Sequence, residues 1–229
     1  RRWTSSTHRS DASSTPSIGP GATGTTTVIL SAKHGQSPMQ PETLTRIDDG
    51  AIIDDINAEW AKGHPDTKEL IVHSVNDDAM IMWLADRSPE AVAFVKDRLS
   101  ARAGMGTDIG GKPKPFTASG TEKIYAGADA AGFFGTTASD LRVPPDVYAS
   151  TKPGTVYTTG TKIAEHGGGV TPADRNVPLV VAGPGISHRD DASAVGTAQI
   201  APTILGRLDL DPQKLQAVVA EHTQPLPGT

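Results

Sequence analysis

Short β-branched runs, each closed by glycine, proline or a polar turn, alternate along this chain with longer stretches of helical spacing. That alternation predicts an α/β organisation. Val28-Ile29-Leu30, led in by Thr25 to Thr27, reads as a strand buried on both faces and running up to His34. Gly35 then permits a sharp bend directly after the histidine. Ile47, Ile52, Ile53, Ile56 and Trp60 recur near the helical period, with Asp48 or Asp49 as the cap and Gly63 and Pro65 as the stop. Glu69 to Val75 and Ala79 to Leu84 are apolar runs joined by Asn76-Asp77-Asp78, which predicts a hairpin. Ser88-Pro89-Glu90 opens a second helix whose apolar side is Ala91, Val92, Phe94, Val95 and Leu99.

The second half is more broken. Ala103 to Ser119 is rich in glycine and proline and reads as a surface loop, followed by a strand end at Ile124 and a short helix from Ala128. Pro144-Pro145 keeps the approach to Tyr148 extended. Val156-Tyr157 leads into Thr161-Lys-Ile-Ala-Glu-His166-Gly-Gly-Gly, a second histidine followed by glycines. Val177 to Gly183 reads as another buried strand, with Pro178 near its start, and Thr197 to Leu208 as a helix over the sheet. Asp211-Pro212 caps a last short helix. Residues 1–24, rich in Ser, Thr, Gly, Pro and Arg without a period, read as a disordered leader or linker.

Composition narrows the chemistry. The 229 residues suffice for one substantial core, and an aromatic content of 4% leaves burial mainly to Ile, Val, Leu and Ala. A net charge of −5 argues against nucleic acid or an anionic membrane surface as partner. No apolar run approaches the roughly 20 residues of a membrane span. The absence of cysteine excludes thiolate chemistry, so any metal must be held by His, Asp, Glu or hydroxyl groups.

The two histidine-glycine motifs, in order with Asp174 and Val177-Pro-Leu-Val-Val-Ala-Gly-Pro-Gly185, resemble the later half of the alkaline phosphatase superfamily, in particular its type I phosphodiesterase/nucleotide pyrophosphatase branch. The resemblance runs from about Thr25 to Gly206. It implies a partial α/β fold, an alkaline-phosphatase-like sheet flanked by helices, formed by residues 25–65 and 120–229. Residues 66–119 would be a small inserted α+β subdomain and loop. It further implies a hydrolase for phosphate esters that uses a divalent metal, Zn²⁺ or alternatively Mn²⁺, with His34 and His166 as ligands. An extracellular or periplasmic location goes with it.

Two departures follow from the same comparison. Lys33 stands where the family pattern has an aspartate, which removes an anionic ligand and makes Lys33 a candidate phosphate contact. The family's nucleophile and early ligands precede the strand that ends at His34, and only residues 1–24 precede it here. His8 and Asp11 match no family motif, and Ser37 lacks a base beside it. Glu165 and Asp174 are helper candidates, the alternative for Asp174 being a turn cap. His73, Asp77 and Asp78 could face the cleft or simply form the hairpin turn, and Asp48-Asp49 and Asp54-Asp55 read as helix start and solvated face.

Three readings compete. The first is a fragment or divergent member of a metal-dependent phosphoesterase without an identifiable nucleophile. The second is a non-catalytic domain of the same fold that binds a small anion or a protein partner. A mutase or sulfatase relative is the third, and no sulfatase-type motif is visible. A partial sheet also predicts exposed apolar edges and self-association through them.

Overall fold

The computed structural model describes residues 24–35, 40–67, 69–140, 143–163 and 169–229. In chain order the elements are β1 (Val28–Ser31), β2 (Thr45–Ile47), α1 (Asp49–Gly63), β3 (Ile71–Asn76), β4 (Ala79–Leu84) and α2 (Pro89–Ala101). Then come β5 (Gly104–Thr107), β6 (Pro113–Phe116), β7 (Thr121–Ala126), α3 (Ala128–Phe133), β8 (Val147–Thr151) and β9 (Thr155–Tyr157). The last are α4 (Pro172–Arg175), β10 (Leu179–Ala182), α5 (Ile200–Arg207) and α6 (Gln216–Glu221). Contacts group the described residues within 33–177 into one compact unit and those within 24–32 and 178–229 into another.

The larger unit contains two four-stranded sheets, ordered β3-β4-β8-β7 and β6-β5-β2-β9. The first is antiparallel throughout, and its hairpin forms where the Asn-Asp-Asp turn predicts it, with Asn76 opposite Met80. Along β4 burial alternates, so Met80, Met82 and Leu84 enter the core while Ile81 and Trp83 face the other way. Ile52, Ile56 and Trp60 of α1 and Val92, Val95 and Leu99 of α2 complete that core. Asp48 caps α1 by accepting from Ala51 N at 3.3 Å, and Ser88 caps α2 by accepting from Ala91 N at 3.2 Å. Each such cap contributes about 1 kcal/mol. Asp55 is an interhelical tie: it pairs with Arg98 at 2.9 Å and Arg102 at 2.7 Å, joining α1 to α2. The Asp54-Asp55 pair is therefore more than a solvated face.

The second sheet corrects two expectations. Ile47 closes β2 rather than joining the helix, and β2 runs parallel to β9, with Arg46 beside Val156. The stretch expected to be a loop, Ala103 to Ser119, holds the β5–β6 hairpin. Its glycines are there because other groups come close. A side chain at Gly106 would run into Arg46 O, and one at Gly104 would stand 2.7 Å from the Phe116 ring. Pro113 and Pro115 are accommodated because β6 is an edge strand.

The smaller unit carries β1 and β10 as a two-stranded antiparallel ribbon, Val28 opposite Ala182 and Leu30 opposite Val180. Both strands were expected to be buried on both faces. Among the described residues each pairs only with the other, and cross-strand partners share a face. The face made by Val28, Leu30, Val180 and Ala182 is exposed, with Leu30 at 61% and Val180 at 53%. The opposite face, with Ile29 and Val181, is half-buried. Within this unit Arg207 of α5 donates to Pro184 O at 2.6 Å and to Thr27 Oγ1 at 3.2 Å. Asp211 caps a short 3-10 turn ahead of α6, accepting from Gln213 N at 3.0 Å.

Candidate functional site

His34 lies three residues past the end of β1, exposed, next to exposed Lys33. Its Nδ1 is 2.8 Å from Gly35 O. With Nδ1–H donating to that carbonyl, the ring's lone pair is on Nε2, the arrangement of an imidazole oriented to ligate. Gly35 is fixed from the far side. Its N–H donates to Asp174 O at 2.6 Å, and a side chain on it would collide with Ala173 O. Glycine is required here for the close approach of two backbones, and the expected conformational demand of the bend is not the reason, since Gly35 does not adopt a positive φ.

Asp174 is thus brought to the His34 turn, but through its main chain. Its carboxylate closes a capping box: Oδ2 accepts from Thr171 N at 3.2 Å, while Thr171 Oγ1 accepts from Asp174 N at 3.2 Å. The turn-cap alternative is the one realised, with Asp174 buried. Its charge nevertheless acts on a neighbour. Tyr148 has its phenol pushed up to about 12, first by burial, then by Tyr125, then by the Asp174 carboxylate.

The segment entering the second motif is held by Arg46, which is buried and spends its guanidinium on main-chain carbonyls. Nε donates to Lys162 O at 2.6 Å and one terminal nitrogen to Thr161 O at 3.2 Å. The other terminal nitrogen donates to Asp108 O at 2.9 Å and Ile109 O at 3.3 Å. Lys162 pairs with Asp77 across 3.2 Å, and Thr158 N donates to Ile47 O at 2.8 Å. His166 and Glu165 themselves lie outside the described residues, as do Ser37, His8 and Asp11. Arg46 was not singled out from the sequence, and its signal is slight: one cation between Thr45 and Ile47 in a run too short to show a period.

The remaining candidates have structural partners. His73 packs against Trp83, ring centroids 5.1 Å apart. Asp77 holds the hairpin turn, its N–H donating to Ala79 O at 3.0 Å. Asp49 accepts from Asn76 Nδ2 at 2.8 Å. Among the described residues no group of three or more His, Asp or Glu side chains stands close enough to hold a metal ion. The described residues fit one ligand of such an ion, His34, and do not make a whole site.

No protein-family model matches the chain, and no curated protein sequence matches it. Among solved structures it is similar to the wild-type alkaline phosphatase PafA, with a TM-score of 0.55 and 15% sequence identity. That likeness covers 81% of this chain and 35% of the other, so the chain spans about a third of that phosphatase's length. At this identity the likeness establishes the fold. Sheets flanked by helices, similar to part of an alkaline phosphatase, are the class the motifs implied.

Proposed function

We propose that this chain is the later part of a metal-dependent phosphoesterase of the phosphodiesterase/nucleotide pyrophosphatase kind. The supporting observation is the conjunction of an alkaline-phosphatase-like fold with a histidine turn whose Nδ1 is held by its own backbone. His34 and His166 are the proposed imidazole ligands of a divalent ion, Zn²⁺ or Mn²⁺. When bound, such an ion lowers the pKa of an attacking hydroxyl and neutralises phosphoryl charge. Lys33 offers an ammonium to a phosphate oxygen in place of the missing carboxylate. Arg46 and the Gly35–Asp174 bond hold the two motifs' backbones. The nucleophile and the remaining ligands belong, in this reading, to parts of the fold beyond the third that this chain spans, and the location is extracellular or periplasmic.

Metal content of the purified chain, measured beside hydrolysis of a nitrophenyl phosphodiester and monoester with added Zn²⁺ or Mn²⁺, tests this. Near-stoichiometric metal that His166→Ala and His34→Ala each reduce supports the ligand assignment. A folded chain with neither metal nor turnover removes it. The second reading, a non-catalytic domain that binds a small anion or a partner, is favoured by the lack of a three-ligand group among the described residues. Phosphate binding that survives chelation, without turnover, would select it.

A further inference from the structure

The sheet β3-β4-β8-β7 has a second face. Ile124, Ala126, Val147 and Ala149 point to the core under α1 and α2, so Tyr125 and Tyr148, opposite each other in register, point the other way. The chain then turns at Gly127, and α3 lays Phe133 on Tyr148, centroids 4.4 Å apart and planes 20° from parallel. Phe134 stands edge-on to both, at 5.3 Å from Phe133 and 5.6 Å from Tyr148. The stack is closed at one end and open at the other, since Tyr148 is buried while Phe133 is 39% and Phe134 43% exposed. Beside the open end lies a depression of about 420 Å³, lined by Lys123, Tyr125, Asp129, Gly132 and Phe133. A side chain built at Gly132 would meet nothing within 4 Å, so the rim there is unfilled. The Lys123 ammonium sits 4.5 Å over the Tyr125 ring.

We infer that this depression binds a planar aromatic ring, stacked against Phe133, with Lys123 and Asp129 serving the polar edge of that ring. The depression is shallow and open to solvent, so it would cover one face of such a ring and leave the other in water. One cation and one carboxylate in the lining cancel, so a neutral ring with donor and acceptor atoms matches it better than a strongly charged group. A flat ring continues the Tyr148–Phe133 stack, which a saturated ring or alkyl chain does not. The stack also shares a neighbour with the His34 turn: α4 receives the Gly35 N–H and carries the carboxylate that acts on Tyr148. Assigning the ring to the ester substrate rests on the phosphoesterase reading, whereas the ring site itself does not.

The test is aromatic-region NMR of the chain titrated with benzamide and, as the saturated match, cyclohexanecarboxamide. Benzamide is expected to shift the Phe133 and Tyr125 ring signals saturably and to bind about tenfold more tightly than the saturated amide. Phe133→Leu, at an exposed position, and Gly132→Leu, which adds bulk at the rim, are each expected to weaken it by about tenfold, with folding checked by circular dichroism. Equal binding of the two amides, no saturation at millimolar concentration, or indifference to both substitutions overturns the site. Self-association of the wild type that Phe133→Leu abolishes, with no benzamide shift, would give the rings to a protein interface and also overturns it. Zn²⁺-dependent binding of benzyl phosphate and of cyclohexylmethyl phosphate, which carry the same phosphate group and differ only in the ring, separates the two readings. Zn²⁺-dependent binding of both esters without a benzamide shift removes the ring site and leaves the phosphoesterase reading. A benzamide shift with equal affinity for the two esters keeps the ring site and removes its link to the ester.

Discussion

Arg46 and Asp146 are buried charges that hold main-chain groups together. Arg46 satisfies four main-chain carbonyls from a buried position. Methionine there would leave several of them without a donor, so Arg46→Met is expected to cost roughly 2–4 kcal/mol in urea unfolding. Lysine restores only part of this, because one ammonium cannot reproduce the planar fork. Asp146 accepts from Leu84 N at 2.9 Å and pairs with half-exposed Arg87 at 2.6 Å. Removing its carboxylate, as in Asp146→Ala, strands a buried N–H and is expected to cost about 2–3 kcal/mol. Burial pushes up the phenols of both Tyr148 and Tyr157, and Tyr148 is one contributor to an alkaline limit. The folded pKa of Tyr148, about 12, lies above the ordinary tyrosine value, so the folded state holds the proton more tightly. The corresponding stability is complete below about pH 10 and is lost as pH rises from there through the folded value. Melting temperatures should fall over that interval, and Tyr148→Phe should flatten the fall.

Elements were legible wherever one period dominated. The β3–β4 hairpin and both long helices carry alternating or helical apolar positions with a turn or cap at the boundary, and they form where those signals stand. β2 was hidden because its three residues are too few to show alternation, and β5–β6 because close approach demanded glycine where a strand usually advertises itself with branched side chains. This argues for opposite effects at two glycines. Gly106→Ala pushes a methyl into Arg46 O and is expected to destabilise by about 1–3 kcal/mol. Gly132→Ala, in α3 with open space around it, should instead stabilise by about 0.5–1 kcal/mol. Paired denaturation curves decide both. Of the site, the His34 turn and the Asp174 cap could be read from local chemistry. The Gly35–Asp174 bond could not, since nothing local marks two distant backbones that meet.

For the whole chain, the exposed apolar face of the β1–β10 ribbon is the feature with the widest reach. Two four-residue strands with that face open are a poor stopping point for a sheet. Val180→Lys and Leu30→Lys place charge on that face and are expected to reduce self-association in light scattering, with circular dichroism unchanged. Association unchanged by both would clear the ribbon. The pairing of Val28 with Ala182 has a consequence in time as well. All the residues between Ser31 and Leu179 must be made before β1 can meet its partner, which takes on the order of ten seconds at ordinary elongation rates. During that wait Val28, Ile29 and Leu30 have no ladder to join, so the nascent chain presents a sticky segment to whatever surrounds the ribosome exit. The ribbon therefore closes late, just ahead of the Arg207 contacts to Thr27 and Pro184, and the yield of folded chain is expected to respond to chaperone supply as well as to the stability of the finished core.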